Sequence, residues 1–264
     1  MVNVLITGNK GFIGSHLESY LKTVTKYNIF GYDIYDTMPQ EKMDYIIHLA
    51  STTTIRNSYS QPQRYFMNNL YLTDELLERA KNDKAKFIFS SSGSIQKPSN
   101  PYSLAKKHSE EWINLYAKLY DMQTSILRFF NVYGDGQRKG VIYEFMKNVK
   151  YYSPCIIYGE GNHIRDFISV KDVCNIIYRM ITDEIEFTDY DVGTGVGTSI
   201  NKLYDILERN LRNNYNIEID KKYIPMSFSE ADKLIANKIV NKQYIKLEKG
   251  INSVIDYVFG SDLK

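Results

Sequence analysis

Residues Val2 to Leu17, VNVLITGNKGFIGSHL, decide the fold. An apolar strand runs from Val2 to Thr7, a glycine turn follows, and a helix then begins with apolar residues at Ile13, Leu17 and Leu21. Strand, glycine turn and helix in this order bring backbone N–H groups and a helix N-terminus against a pyrophosphate. The segment therefore predicts dinucleotide binding, with a plain tight turn as the alternative. The cofactor contacts that we expect here are Gly8, Lys10, Gly11, Phe12, Ile13 and Gly14.

A second strand, Asn28 to Tyr32, ends at Asp33. A carboxylate at this point can accept hydrogen bonds from both adenosine ribose hydroxyls and would repel a 2′-phosphate, which favours NAD. Lys10 in the glycine turn could instead pair with such a phosphate. Asp33 could also be only a turn residue, so NADP stays open as the cofactor.

The stretch Phe87 to Glu111 carries the candidate chemistry. An apolar strand ends in the hydroxyls of Ser90, Ser91 and Ser92, and Asn100-Pro101 then gives a helix start. Tyr102 and Lys106, four residues apart, share one face of that helix. A phenol beside an ammonium is a proton donor with a lowered pKa, and a serine hydroxyl alongside could help it bind a carbonyl oxygen. Alternatively, both are ordinary helix-surface residues.

Strands alternate with helices through the first half of the chain. Asp44 to Ala50 is a buried strand, Pro62 to Ala80 is an amphipathic helix with Asn69 in its middle, and Gln123 to Phe130 is another strand. Asn69 either holds a water or a lysine near the site or simply faces solvent. The alternation predicts an α/β fold of the Rossmann type, a doubly wound parallel sheet. Ligands bind such sheets at the carboxyl ends of strands, where we place Gly8, Asp33, Ala50, Ser92 and Asn131.

The second half is less regular. After a turn at residues 131–134, we expect a helix from Val141 to Lys150, a strand from Cys155 to Tyr158 and helices at Val170–Met180 and Ile200–Leu211, the last capped by Ser199. The domains predicted are 1–132, mainly dinucleotide-binding, and 133–264, mainly a small substrate-binding lobe interleaved with the last sheet strands.

The composition of the 264-residue chain sets further bounds. A net charge of +2 without basic clusters argues against nucleic acid or a membrane surface as partner. Cys155 and Cys174 form neither a metal-binding spacing nor a disulfide framework, so we expect no metal and a reducing, cytoplasmic setting.

The motifs together resemble the extended short-chain dehydrogenase/reductase family, in its nucleotide-sugar epimerase, dehydratase and reductase branch. The resemblance covers nearly the whole chain and rests on segments in the family's order. These segments are TGNKGFIGSHL, IIHLAS, FSSSGSI, YSLAK, LRFFNVYGDGQ, RDFISVKDV, YDVGTGVGTSI and LEKGI.

The resemblance implies roles for individual residues. Tyr102 would be the general acid/base, Lys106 would bind the nicotinamide ribose and lower the tyrosine pKa, and Ser92 would hydrogen-bond the reacting sugar oxygen. Arg165 would reach the substrate pyrophosphate, unless it is paired with Asp166 on a surface turn. The remaining contacts implied are Leu49, Ala50 and Tyr102 to the cofactor, and Asn69 and Asn131 near the sugar nucleotide.

Departures from the family pattern reduce the number of activities that we expect of this chain. Gly93 and Ser94 replace the Asp-Glu pair of the 4,6-dehydratases, and Ser92 lies only ten residues before Tyr102, as in sugar-nucleotide C4-ketoreductases. The arginine usually found before the final aspartate, here Asp232, is also missing. We expect an NAD(P)H-dependent reductase of a nucleotide-linked 4-keto-6-deoxyhexose, acting as a homodimer. The alternatives are a nucleotide-sugar 4-epimerase with tightly bound NAD and a non-catalytic binding protein.

Overall fold

The computed structural model of the protein describes residues 1–96, 98–226, 233–240 and 243–259. Its strands are β1 (Asn3–Thr7), β2 (Asn28–Tyr32), β3 (Tyr45–His48), β4 (Lys86–Ser92), β5 (Thr124–Phe129), β6 (Asn131–Tyr133), β7 (Cys155–Tyr158), β8 (Ile164–Ser169), β9 (Tyr190–Val192), β10 (Gly197–Ser199), β11 (Lys221–Ile224) and β12 (Lys233–Leu234). Its α-helices are α1 (Phe12–Val24), α2 (Ile55–Ser60), α3 (Pro62–Asp83), α4 (Pro101–Tyr120), α5 (Val141–Lys150), α6 (Val170–Ile181), α7 (Ile200–Tyr215) and α8 (Leu247–Phe259).

The first of two compact units comprises Met1–Phe129 and Cys174–Asp191. Its sheet has the strand order β2-β1-β3-β4-β5-β9, and β1, β2, β3, β4 and β5 pair in parallel. This confirms the predicted α/β fold with a parallel, Rossmann-like sheet. No helix lies between β2 and β3, which are joined by the short connection from residue 33 to residue 44. Parallel strands are covered on both faces and therefore contain uninterrupted apolar runs, such as Val4–Ile6 in β1 and Tyr45–Ile47 in β3.

The second unit comprises Phe130–Val173 and the residues from Val192 onward. Strand β8 is paired with β6, β10 and β12, and β7 pairs with β11. An apolar core lies between these strands and helices α5, α7 and α8.

The turn predicted at residues 131–134 is wrong. Asn131–Tyr133 forms β6, which runs parallel to β8 with Asn131 opposite Phe167. Tyr133 is 1% exposed within the apolar core of this unit, and burial of its ring fixes an extended backbone where Asn and Gly alone indicate a turn.

Within the described residues, no helix combines the length and the apolar character needed to span a bilayer.

Candidate active site

The turn after β1 has the geometry of a pyrophosphate cradle. Gly8 has φ +72°, and a Cβ there would lie 2.8 Å from the backbone nitrogen of Ala50. A Cβ on Gly14 would lie 2.1 Å from the carbonyl oxygen of Gly8, so neither position accepts a side chain. Helix α1 begins after Gly11 without a side-chain cap, which leaves its first N–H groups available to an anion. The turn therefore fits a dinucleotide pyrophosphate, with Lys10, Phe12 and Ile13 in the same segment.

The carboxylate of Asp33 is fixed at the end of β2. Its two oxygens accept hydrogen bonds from the backbone nitrogens of Lys10 at 3.0 Å and Ile34 at 2.7 Å. Asp36 accepts a hydrogen bond from the Asp33 backbone nitrogen at 3.0 Å and pairs with the Lys10 ammonium at 2.6 Å. The Lys10 charge is thus already matched by a carboxylate, and the cluster fits ribose hydroxyls better than a 2′-phosphate.

Tyr102 is held at the start of α4 by an N-terminal capping box. Asn100 accepts a hydrogen bond from the Ser103 backbone nitrogen at 2.9 Å, and the Ser103 hydroxyl lies 3.4 Å from the Asn100 nitrogen. Pro101 is at the first helical position, as predicted. The capped first turn fixes the orientation of Tyr102, which is 9% exposed.

Ser92 connects Tyr102 to the end of β4. Its hydroxyl hydrogen-bonds Tyr102 and lies 2.9 Å from the Ser94 hydroxyl, while accepting from the Ser94 backbone nitrogen at 3.2 Å. Burial raises the pKa of Tyr102 to about 12, and the hydrogen bond with Ser92 opposes that rise. The lowered tyrosine pKa expected from the sequence is therefore wrong, because desolvation outweighs the favourable contacts of the phenolate.

Lys106 lies one helical turn after Tyr102 and is 2% exposed. Its ammonium donates a hydrogen bond to the Ser90 carbonyl oxygen at 2.6 Å and lies 4.4 Å from the centre of the Phe89 ring. Burial lowers the pKa of Lys106 to about 7, with the charge of Glu110 acting in the opposite direction. Tyr102 and Lys106 are thus buried residues, not the helix-surface residues of the alternative interpretation.

Asn69 is buried on the inner face of α3 and does not face solvent. Its side-chain oxygen accepts hydrogen bonds from the Ser51 hydroxyl at 3.1 Å and the Thr52 nitrogen at 2.9 Å, and its amide nitrogen donates to the Thr52 carbonyl. Asn69 therefore fixes the segment that follows β3. Leu49 and Ala50, the expected cofactor contacts, lie in this segment.

The sequence interpretation missed His48 and Thr73, which are 1% and 0% exposed beside this segment. The available signal was a histidine inside the apolar run of β3, because a buried imidazole needs polar partners.

Asn131 and Arg165 lie in the second unit. Asn131 begins β6, and Arg165 lies in β8, where it is 6% exposed and donates to the Ile164 carbonyl oxygen at 3.0 Å. Asp166 accepts hydrogen bonds from Thr194 and from the backbone nitrogens of Gly195 and Ala236. Arg165 and Asp166 are therefore not on a surface turn. Asp232 and its neighbours Phe228, Ser229 and Glu230 lie outside the described residues.

Comparison with known proteins identifies relatives of this chain. The model of the NAD dependent epimerase/dehydratase family matches residues 23–193. A putative UDP-glucose 4-epimerase of Methanocaldococcus jannaschii is 34% identical over 79% of this chain and 82% of its own. The GDP-6-deoxy-D-talose 4-dehydrogenase of Aggregatibacter actinomycetemcomitans is 31% identical over 78% of this chain and 79% of its own.

Solved structures show the same fold. The UDP-glucuronic acid 4-epimerase of Bacillus cereus, in complex with UDP-glucuronic acid and NAD, superimposes with a TM-score of 0.89. The match covers 98% of this chain and 100% of that protein at 23% sequence identity.

Proposed function

The chain belongs to the NAD dependent epimerase/dehydratase family, and we propose that it reduces the C4 keto group of a nucleotide-linked 4-keto-6-deoxyhexose. The observation that carries the proposal is the hydrogen-bonded pair of Ser92 and Tyr102, with the tyrosine pKa near 12. A phenol with that pKa is protonated at neutral pH, the state in which a general acid begins a reduction.

The reaction consumes one NADH and one proton for each keto group reduced. NADH held by the turn after β1 would supply the hydride for the new C4–H bond, with the carbonyl electron pair moving to oxygen. Ser92 orients that oxygen, and Tyr102 gives its proton to the forming alkoxide and is then reprotonated from water. Lys106 binds the nicotinamide ribose and, when charged, stabilises the transient phenolate. Asn131 and Arg165 contact the sugar nucleotide, the arginine at its pyrophosphate.

The reduction is supported by three features. The 4-dehydrogenase relative is named for the C4 position of a nucleotide-linked 6-deoxyhexose. Gly93 and Ser94 offer no acid/base pair for eliminating water. The ten-residue interval between Ser92 and Tyr102 resembles that of the C4-ketoreductases.

A 4-epimerase is the second candidate because several relatives carry that name. It would use the same residues, but the hydride removed from C4 would return to the other face of the keto-sugar. The cofactor would then stay bound and show no net turnover.

We also propose that the enzyme is cytoplasmic, because NADH and nucleotide sugars are cytosolic metabolites.

We further propose that the enzyme is a homodimer. Helices α3 and α4 pack side by side and expose neighbouring large apolar side chains. These are Phe66, Met67, Tyr71, Leu104, Trp112, Leu115 and Leu119. Such a contiguous apolar face is typical of an association site, and a second copy would bury the same two helices.

The experiment that tests the function is a panel of 4-keto-6-deoxy nucleotide sugars offered with NADH and with NADPH, followed at the nicotinamide absorbance. We expect oxidation of NADH equal to the keto-sugar added. Release of tightly bound NAD on denaturation, with inversion at C4 and no NADH consumed, would favour the epimerase. Cofactor binding without turnover of any nucleotide sugar would favour the non-catalytic protein.

A further inference from the structure

The side chain of His48 is completely enclosed between β1 and α3. Its Nδ1 lies 2.8 Å from the Thr7 hydroxyl oxygen, and its Nε2 lies 3.1 Å from the Thr73 hydroxyl oxygen. Each hydroxyl has one further partner. The Ala50 nitrogen donates to Thr7 Oγ1 at 3.3 Å, and Thr73 Oγ1 donates to the Asn69 carbonyl oxygen at 2.6 Å.

Counting protons fixes the direction of these bonds. The Thr73 hydroxyl has a single proton, and the shorter contact directs it to Asn69, so Thr73 must accept from Nε2–H. Nδ1 is then unprotonated and accepts the proton of Thr7. With the other tautomer, Thr7 Oγ1 would receive both Ala50 N–H and Nδ1–H. Its own proton would then have no acceptor among the described residues, at a side chain that is 0% exposed.

We propose that His48 is a positioning residue for the cofactor, acting as a neutral Nε2–H imidazole in a one-directional chain from the Ala50 nitrogen to the Asn69 carbonyl. Asn69 in turn holds Thr52 through both atoms of its side-chain amide. The segment from Leu49 to Thr52 is therefore fixed at both ends, on one side through Thr7 and on the other through Asn69.

His48 is also connected to Lys106, through two hydrogen bonds that Ser90 makes. The Ser90 hydroxyl donates to the His48 carbonyl oxygen at 2.9 Å, and Lys106 donates to the Ser90 carbonyl oxygen at 2.6 Å. Burial, and after it the charge of Lys106, keeps the pKa of His48 well below its usual range. Both effects preserve the neutral imidazole, since an imidazolium could not accept from Thr7.

This role rests on the proposed binding of NAD at this edge of the sheet, and its test does not need a sugar substrate. In ¹⁵N-histidine-labelled protein, two-bond proton–nitrogen correlation spectra at neutral pH should give the Nε2–H pattern for His48, assigned by its loss in His48→Gln. An Nδ1–H or imidazolium pattern would overturn the proposal, whichever reaction the enzyme catalyses.

The second readout is NAD affinity measured by calorimetry. Thr73→Val removes the hydroxyl at nearly constant volume, and loss of this buried connection should weaken NAD binding about fivefold to tenfold. Thr73→Ser, which keeps the hydroxyl, should restore the wild-type NAD affinity. A lower melting temperature with unchanged NAD affinity would mean that the chain only stabilises the fold, and the proposal would fail.

Discussion

The Lys106 ammonium nitrogen lies 2.6 Å from the Ser90 carbonyl oxygen, beneath the strand end that carries Ser92. The lysine is enclosed by this carbonyl, the Phe89 ring and the body of α4, and its pKa falls from 10.5 to about 7. Its charge therefore changes close to neutral pH, unlike that of a solvent-exposed lysine.

This shift predicts how stability depends on pH. Between pH 7 and 10.5 the unfolded chain binds the Lys106 proton while the folded protein has lost it, so this residue makes the free energy of unfolding rise with pH. Lys106→Met should reduce the rise in urea midpoint between pH 7 and pH 9. Lys118→Met, at an exposed position of the same helix, should keep it. Equal slopes in wild type and Lys106→Met would contradict the shifted pKa.

Tyr102→Phe removes the proposed proton donor and little else. We expect kcat to fall by roughly 10²–10⁴, the usual effect of losing a general acid, while NAD affinity remains nearly unchanged. Stopped-flow reduction of the keto-sugar and calorimetry with NAD measure the two quantities. Tyr152→Phe, at a fully exposed tyrosine, is the matched control. Near wild-type turnover in Tyr102→Phe would rule out the mechanism.

Asp36→Asn should relax the preference for NAD. The Lys10 ammonium, now paired with Asp36 at 2.6 Å, would become available to a 2′-phosphate. We expect the ratio of NADP to NAD dissociation constants to fall about threefold to tenfold, because one like charge is removed and a cation is released. The double variant Asp36→Asn with Lys10→Gln should lose most of this gain. An unchanged ratio in the single variant would show that Asp33 alone sets the preference.

Leu115→Glu should dissociate the proposed homodimer. Leu115 is exposed on α4, and a charge there would be buried without a partner at the interface. Sedimentation velocity should show a dimer for the wild type and a monomer for the variant. Val196→Glu, at an exposed residue of the second unit, should leave the dimer intact. A monomeric wild-type protein would disprove the assembly.

Local signals predicted much of the fold. Asn100 and Ser199 cap helices where their residue types indicate, and Gly8 and Gly14 of the first turn occupy positions that exclude a Cβ. The two caps depend only on residues that are close in the sequence. In contrast, the residue types at positions 131–134 predict a turn, because the strand at Asn131 depends on pairing with β8, more than 30 residues away in the sequence.

The sequence predicts which residues form the site better than it predicts their pKa values. The helical spacing places Tyr102 and Lys106 on one face, but their pKa values follow from burial, which a sequence does not quantify. Similarly, His48 could be noticed in an apolar strand, but its two threonine partners come from β1 and α3.

The proposed reduction is tested most directly by isotope transfer. The enzyme is given NADH deuterated on the transferred face and a 4-keto-6-deoxy nucleotide sugar, and the product is examined by NMR. We predict one deuterium at C4 of the product for each NADH oxidised. Inversion of a nucleotide sugar at C4 with no deuterium incorporated and no NADH consumed would contradict the reductase and identify an epimerase.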